Sequence, residues 1–257
     1  MKSNPFSLVT KKALVLGAGS DIGSAAAIAL AEAGADVALG TTLKRQAEKH
    51  AISRCADRIR EKKRMTFTRC LDSSDNEELE QLVAKTVTTF GGLDILVCAH
   101  DLPFAKPVDE ITDAEWQKVI QVNLTGVFLA CRAVSRPMLS TRYGRIINVV
   151  SLLAERGMAN GSAYCAAQAG VLNLTRALSL EWARCGITVN AIGAGWTEGA
   201  GFFNDPSTKE RLTQFLPTKR LGKPHEIGDA AVYLASNSTG FITGQTLWLE
   251  GGALSRL

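Results

Sequence analysis

The sequence predicts an α/β fold, a doubly wound sandwich with a seven-stranded parallel sheet, formed by one domain spanning residues 1–257. Two observations carry that expectation. Short β-branched or apolar runs alternate with helical stretches along the chain, with no repeat, low-complexity block or linker between them, which is the pattern of a parallel sheet covered on both faces. At 257 residues the chain is long enough to bury a large core yet lies within the ordinary size of one α/β domain.

The strand runs are Ala13–Leu16, Asp36–Leu39, Met65–Thr68, Ile95–Cys98, Arg145–Val150, Thr188–Ile192 and Thr246–Leu249. Helical periodicity falls near Ile22–Ala33, Leu43–Glu61, Asn76–Phe90, Asp113–Ser140, Ala163–Arg184 and His225–Ser236. Right-handed crossovers between parallel strands then build three layers. From Ala194 to Lys223, glycines and the prolines Pro206 and Pro217 interrupt any regular pattern around the pair Phe202 and Phe203, which predicts a loop over a substrate pocket.

Composition excludes several classes. Apolar residues are 46% and charged residues 21%, and the longest apolar runs are strand-length, so no membrane span is expected. Met1–Thr10 carries neither a signal-peptide nor a transit-peptide pattern, which predicts a cytoplasmic protein. The six cysteines, at 55, 70, 98, 131, 165 and 185, have no metal-ligand spacing and read as free thiols, with no metal site. Between Lys44 and Arg64, nine bases face three acids, a stretch that reads first as a solvated helix face; no aromatics interleave the bases, so nucleic acid is not expected as a partner.

The first strand runs into Gly17-Ala18-Gly19-Ser20-Asp21-Ile22-Gly23 and then an alanine-rich helix. Gly17 and Gly19 suit a tight turn and close approach to a pyrophosphate, and Gly23 lets helix and strand pack, the arrangement of a Rossmann-type nucleotide fold. Asp21 is expected to cap the helix while setting a negative charge near the phosphates. After the second strand, no carboxylate is offered to an adenosine ribose; Gly40, Thr41 and Thr42 precede Lys44 and Arg45, which favours NADP over NAD. Asp72, after the third strand, is a candidate partner for an adenine amino group, or an ordinary turn aspartate.

Val122-Asn123-Leu124-Thr125-Gly126, then Ile146-Ile147-Asn148-Val149-Val150-Ser151, then Tyr164 thirteen residues later, closely resemble the ordered signature of the classical short-chain dehydrogenases/reductases. The tail, with Arg220-Leu221-Gly222-Lys223-Pro224, Ile242-Thr243-Gly244-Gln245 and Glu250-Gly251-Gly252, is similar to the ketoacyl reductase and sugar-alcohol dehydrogenase branch. The resemblance implies interconversion of a carbonyl and a secondary alcohol by hydride transfer, with Tyr164 as proton donor, Ser151 bonded to the same oxygen and Asn123 holding a water. It also implies cofactor contacts from Ala99 and Gly195 and assembly as a homotetramer through the two long helices.

Departures from the family pattern gather around the same pocket. Where the family has lysine one helical turn after the tyrosine, to bind the nicotinamide ribose and lower the phenol's pKa, this chain has Gln168, a neutral amide that can still bond ribose hydroxyls. Cys98-Ala99-His100-Asp101 replaces the family's Asn-Asn-Ala-Gly, Ala194-Gly195 replaces its Pro-Gly, Gly199 stands at a usual threonine, and Leu16 at another. His100 reads as a surface or structural histidine before it reads as a substitute proton source. These departures keep a second reading open, a catalytically silent member serving as nucleotide-binding or partner subunit. Leu152, Leu153, Met158, Trp196, Phe202 and Phe203 predict a largely apolar substrate pocket.

Overall fold

The computed structural model describes residues 4–41, 46–199 and 205–255; for residues 46 and 47 the description is of the backbone. Seven parallel strands form one sheet in the order β3-β2-β1-β4-β5-β6-β7. They are β1 Lys12–Leu16, β2 Asp36–Thr41, β3 Thr66–Cys70, β4 Ile95–Cys98, β5 Gly144–Ser151, β6 Ile187–Ala194 and β7 Thr246–Leu249. Each predicted strand is present, with ends shifted by no more than two residues. The central strands are buried on both faces, as their continuous apolar runs require.

Helices α1 Asp21–Glu32, α2 Gln46–Glu61 and α8 Pro224–Ala235 cover one face, burying Ala26, Ile52, Ile59, Ile227 and Ala231 against it. Helices α3 Asn76–Phe90, α5 Gly126–Thr141 and α6 Ser162–Trp182 cover the other with Leu79, Leu82, Val134, Val171 and Leu172. At the amino ends of β1 and β2, buried Asp36 takes hydrogen bonds from Lys12 Nζ (2.6 Å), Arg64 (2.7 Å) and the Met65 amide (2.9 Å). Its burial raises the carboxyl pKa, but those three partners together hold it below the usual range. Arg64 and Lys62, which bonds Glu32, thus tie part of the basic stretch into local ion pairs.

Two predicted elements take a different form. The expected helix over Asp113–Ser140 is α4, Asp113–Ile120, a single π turn at Gln121–Thr125, and α5. Thr112 and Glu115 form a capping box that starts α4, and the wide turn lies at Asn123. Within the expected loop at 194–223 lies a helix, α7 Pro206–Phe215. Pro206 does not break it but opens it, since an N1 proline lacks only an N–H that would have no partner, and Asp205 caps it by accepting from Thr208 N at 2.8 Å.

Strand order reverses between β1 and β4, so the loops after β1, β4, β5 and β6 open a crevice at the carboxyl edge of the sheet. Among the described residues, no helix is long and apolar enough to cross a membrane.

Candidate active site

The crevice is a cavity of about 520 Å³, within the range of small-molecule sites. One end of it is built from the glycine turn. Gly17 has φ +83°, and a Cβ there would drive into the Ala99 backbone; a Cβ on Gly23 would strike the Gly17 carbonyl. Gly19 leaves room for Thr41, whose Oγ1 would lie 2.6 Å from an added Cβ. Ser20 is the N-cap of α1: its Oγ accepts from Gly23 N at 3.0 Å and donates to the Gly17 carbonyl at 2.9 Å. The expectation from sequence that Asp21 caps the helix is therefore not met. Asp21 is the first helical residue, and its carboxylate leans toward Gly199, where a Cβ would collide with it.

Gly19, Ser20, Asp21, Ile22, Ala99 and Gly195 line the cavity together with Ser151, Tyr164 and Gln168. Gly17, Gly23 and Thr41 are not in that lining; Gly17 packs against the Ala99 backbone and Thr41 against Gly19, two residues that are. Asp72 lies outside the lining; its Oδ1 accepts from Ser74 N (2.9 Å) and Ser74 Oγ (2.5 Å), which is the turn-aspartate reading. Thr42, Lys44, Arg45, Phe202 and Phe203 lie outside the described residues. Of the apolar pocket expected from sequence, Leu153 and Trp196 line the cavity, joined by Leu212 of α7 and Leu221, whereas Leu152 is packed in the adjoining core.

Each polar group at the opposite end sits on an element that holds it. Ser151 ends β5, and its Oγ caps the following turn by accepting from Leu153 N at 3.2 Å. Tyr164 stands in the first turn of α6 and is 2% exposed. Gln168 follows one turn later on the same face, also buried, and its amide is fully oriented: Oε1 accepts from Ser151 N at 3.0 Å and Nε2 donates to Asp101 Oδ1 at 3.1 Å. Asn123 spends its side chain on the loop after β4, accepting from Leu102 N at 2.8 Å and donating to the Leu102 carbonyl at 3.0 Å.

That clamp sets the position of Asp101, whose carboxylate accepts from the Tyr164 hydroxyl as well as from Gln168. Burial raises the Asp101 pKa to about 6, against the lowering effect of the Tyr164 bond. Burial also pushes the Tyr164 phenol well above its ordinary value, reinforced by the Asp101 charge and hydrogen bond and only partly offset by the Ser151 hydroxyl. His100, expected at a surface or in a structural place, is 5% exposed and lines the cavity. Neither ring nitrogen has a hydrogen-bond partner of good geometry among the described residues, and burial lowers its pKa to about 4 despite the nearby Val122 backbone. A neutral imidazole with so low a pKa is a poor proton source near neutrality.

Asp101 is the site residue that sequence reasoning missed. Its signal was present in the altered loop Cys98-Ala99-His100-Asp101, but only the fold brings that carboxylate to Tyr164.

The chain belongs to the classical short-chain dehydrogenase/reductase family: its residues 17–253 match the family model described as enoyl-(acyl carrier protein) reductase. It is an oxidoreductase of dehydrogenase/reductase type. Similar proteins include the 3-oxoacyl-(acyl-carrier-protein) reductase of Vibrio cholerae, 36% identical over 96% of this chain and 98% of the relative. Cis-4-hydroxycyclohexanecarboxylate dehydrogenase of Sinomonas cyclohexanicum is 35% identical over 93% and 95% of the two chains. Among solved structures, carveol dehydrogenase from Mycobacterium avium in complex with NAD superimposes with a TM-score of 0.92 at 25% identity, covering 97% of this chain and 99% of that one. These relatives carry the names of enzymes, which gives no support to the silent reading.

Proposed function

We propose that the protein interconverts a secondary alcohol and a carbonyl using NADP in preference to NAD, with Tyr164 exchanging the proton at the substrate oxygen. The observation that carries this reading is the convergence of Ser151, Tyr164 and Gln168 on one cavity whose far end is the glycine turn and the N-terminus of α1. The bare backbone at Gly17, Gly19 and Gly23 fits a dinucleotide, because any side chain there would strike Ala99, Thr41 or the turn itself. Gly17, Gly19, Ser20, Ile22 and Gly23 would hold its pyrophosphate, Ala99 and Gly195 its flanks, and Gln168 the nicotinamide ribose. When bound, the nicotinamide supplies or accepts a hydride.

The chain's own residues handle the proton. Ser151 and Tyr164 bond the substrate oxygen, and Tyr164 Oη gives or takes its proton as the C–O bond order changes. Gln168, in the place of a family lysine, holds the end of β5 to the loop after β4 instead of bringing a positive charge. Asn123 keeps that loop in place through Leu102. Leu102, Leu153, Trp196, Leu212 and Leu221 favour a substrate with an apolar body, and Trp196, Thr197 and α7, through Lys209 and Leu212, line the substrate end.

The NADP preference rests on β2 ending in Gly40 and Thr41 without a carboxylate and on Thr42, Lys44 and Arg45 following. One observation favours NAD instead: Glu48 lines the cavity beside Gly19, where a carboxylate would repel a 2′-phosphate. Assembly as a homotetramer is supported by apolar side chains on the outer faces of α5 and α6, with Phe128 40% and Leu180 82% exposed. A cytoplasmic location completes the reading. Titrating the purified protein with NADPH and NADH, then assaying ketone and alcohol panels with whichever binds, tests it. Tighter NADPH binding, by about tenfold for one charge-assisted contact, is expected; no binding of either nucleotide would overturn it.

A further inference from the structure

We propose that Asp101 is a proton-relay residue of this active site, exchanging a proton with the Tyr164 hydroxyl through their hydrogen bond while Gln168 holds its carboxyl in place. The inference rests on the oxidoreductase reading and extends it to a group beyond the Ser151, Tyr164 and Gln168 set.

Three observations carry it. The Gln168 amide has one possible orientation, because its Oε1 accepts from Ser151 N at 3.0 Å; its Nε2 must therefore face Asp101, whose Oδ1 acts as acceptor at 3.1 Å. Tyr164 is then the second donor to the same carboxylate, so the phenol's proton already points at Asp101. Lastly, among the described residues Asp101, Ser151 and the Cys165 thiol act on the Tyr164 hydroxyl, and none of these three is cationic. A phenolate formed beside the Asp101 carboxylate would place two negative charges together in a buried site. Moving the phenolic proton to Asp101 avoids that state.

The step balances. In oxidation, the alcohol O–H bond breaks toward Tyr164 Oη as the Tyr164 O–H bond breaks toward Asp101, and the C–H electron pair leaves as hydride in the reaction described above. Tyr164 ends neutral, Asp101 ends protonated, and Asp101 then loses its proton to water through the cavity it lines. Reduction runs the same transfers backward, starting from protonated Asp101. An Asp101 pKa of about 6 makes both forms available near neutrality. Among the described residues, the other titratable groups facing this space are His100 on the same loop, Asp21 of α1, Glu48 of α2, Cys165 of α6 and Lys209 of α7.

Two measurements on the whole protein decide it. Without any ligand, carbon NMR of aspartate-labelled protein should show a carboxyl, absent in Asp101→Asn, that titrates at about 6 and moves to higher pH in Tyr164→Phe, because the phenol's hydrogen bond lowers it. In turnover, alcohol oxidation should lose rate below about pH 6 in the parent and in Asp101→Glu. Asp101→Asn should lose that acid limb and fall by about 10²-fold in kcat, with a much smaller change in KM. An Asp101 titration indifferent to Tyr164→Phe would overturn the relay, as would Asp101→Asn with parental rate and limb. A parent with no turnover on any alcohol or ketone would overturn the oxidoreductase reading and this step with it, whereas a failed carbon titration overturns the relay alone.

Discussion

Replacing Gln168 by lysine puts the electrostatics of the site to a direct test. Gln168 Nε2 lies 3.1 Å from Asp101 Oδ1, so an ammonium there would sit about 4 Å or less from the carboxylate, where two unit charges attract by about 4 kcal/mol at an effective dielectric of 20. That is close to three pKa units, at about 1.4 kcal/mol each. Burying the ammonium cancels part of it, leaving an expected fall of about one to two units in the Asp101 pKa. The phenol's pKa falls as well, since the Asp101 charge that raises it is countered. The acid limb of alcohol oxidation should move to lower pH, the alkaline behaviour set by Tyr164 should follow it, and the rate at neutrality should rise. Lysine cannot accept from Ser151 N, so the variant should also be less stable, by about 1–3 kcal/mol for one buried N–H left without an acceptor. Gln168→Met shares that loss without the charge and is the control. pH profiles of kcat and kcat/KM for parent, Gln168→Lys and Gln168→Met provide the assay. If the limbs in Gln168→Lys coincide with those of the parent, or move to higher pH, the charge reasoning is wrong.

Other variants probe the N-terminus of α1, the glycine turn and the Asp101 carboxyl. Asp21→Asn should tighten nucleotide binding in a fluorescence titration and cost about 0.3–1 kcal/mol in thermal stability, since Ser20 rather than Asp21 caps α1 and only a charge at the helix N-terminus is lost; weaker nucleotide binding would place Asp21 away from the phosphates. Gly17→Ala should destabilise the fold by at least about 1–3 kcal/mol in urea unfolding, because a Cβ there meets the Ala99 backbone at a φ of +83°. Asp101 has a folded pKa of about 6, above its unfolded value, so the stability linked to its protonation is present at low pH and lost as pH rises through 6. Asp101→Asn should consequently be more stable than the parent at pH 8, by an amount on the order of 2 kcal/mol that shrinks as pH falls below 6; a constant difference across pH would contradict the raised pKa.

Much of the fold was legible because it depends on local pattern. Ile95–Cys98 and Thr246–Leu249 are apolar runs of strand length, and Asn76–Phe90 carries its start and stop in Asp75 and Gly91, so the sequence places all three where the structure does. The π turn at Asn123 was not legible, because one added residue per turn leaves the apolar period of the flanking helices almost intact. Helix α7 was hidden by Pro206, a residue that reads as a breaker unless the preceding aspartate is read as its cap. At the site, Ser151, Tyr164 and Gln168 could be placed together because they sit on one strand end and one helix face. Asp101 could not, since a carboxylate on an irregular loop has no period, and its approach to Tyr164 depends on the Asn123 clamp on Leu102, twenty-one residues away in sequence.

The role proposed for Tyr164 is to exchange the proton at the substrate oxygen of a nicotinamide-dependent oxidoreductase. The most direct measurement is alcohol-dependent NADP reduction by the parent and Tyr164→Phe, with the nucleotide dissociation constant determined for both. Tyr164→Phe should lose about 10²-fold or more in kcat while its nucleotide affinity stays as in the parent. Equal turnover by the two proteins would contradict that role.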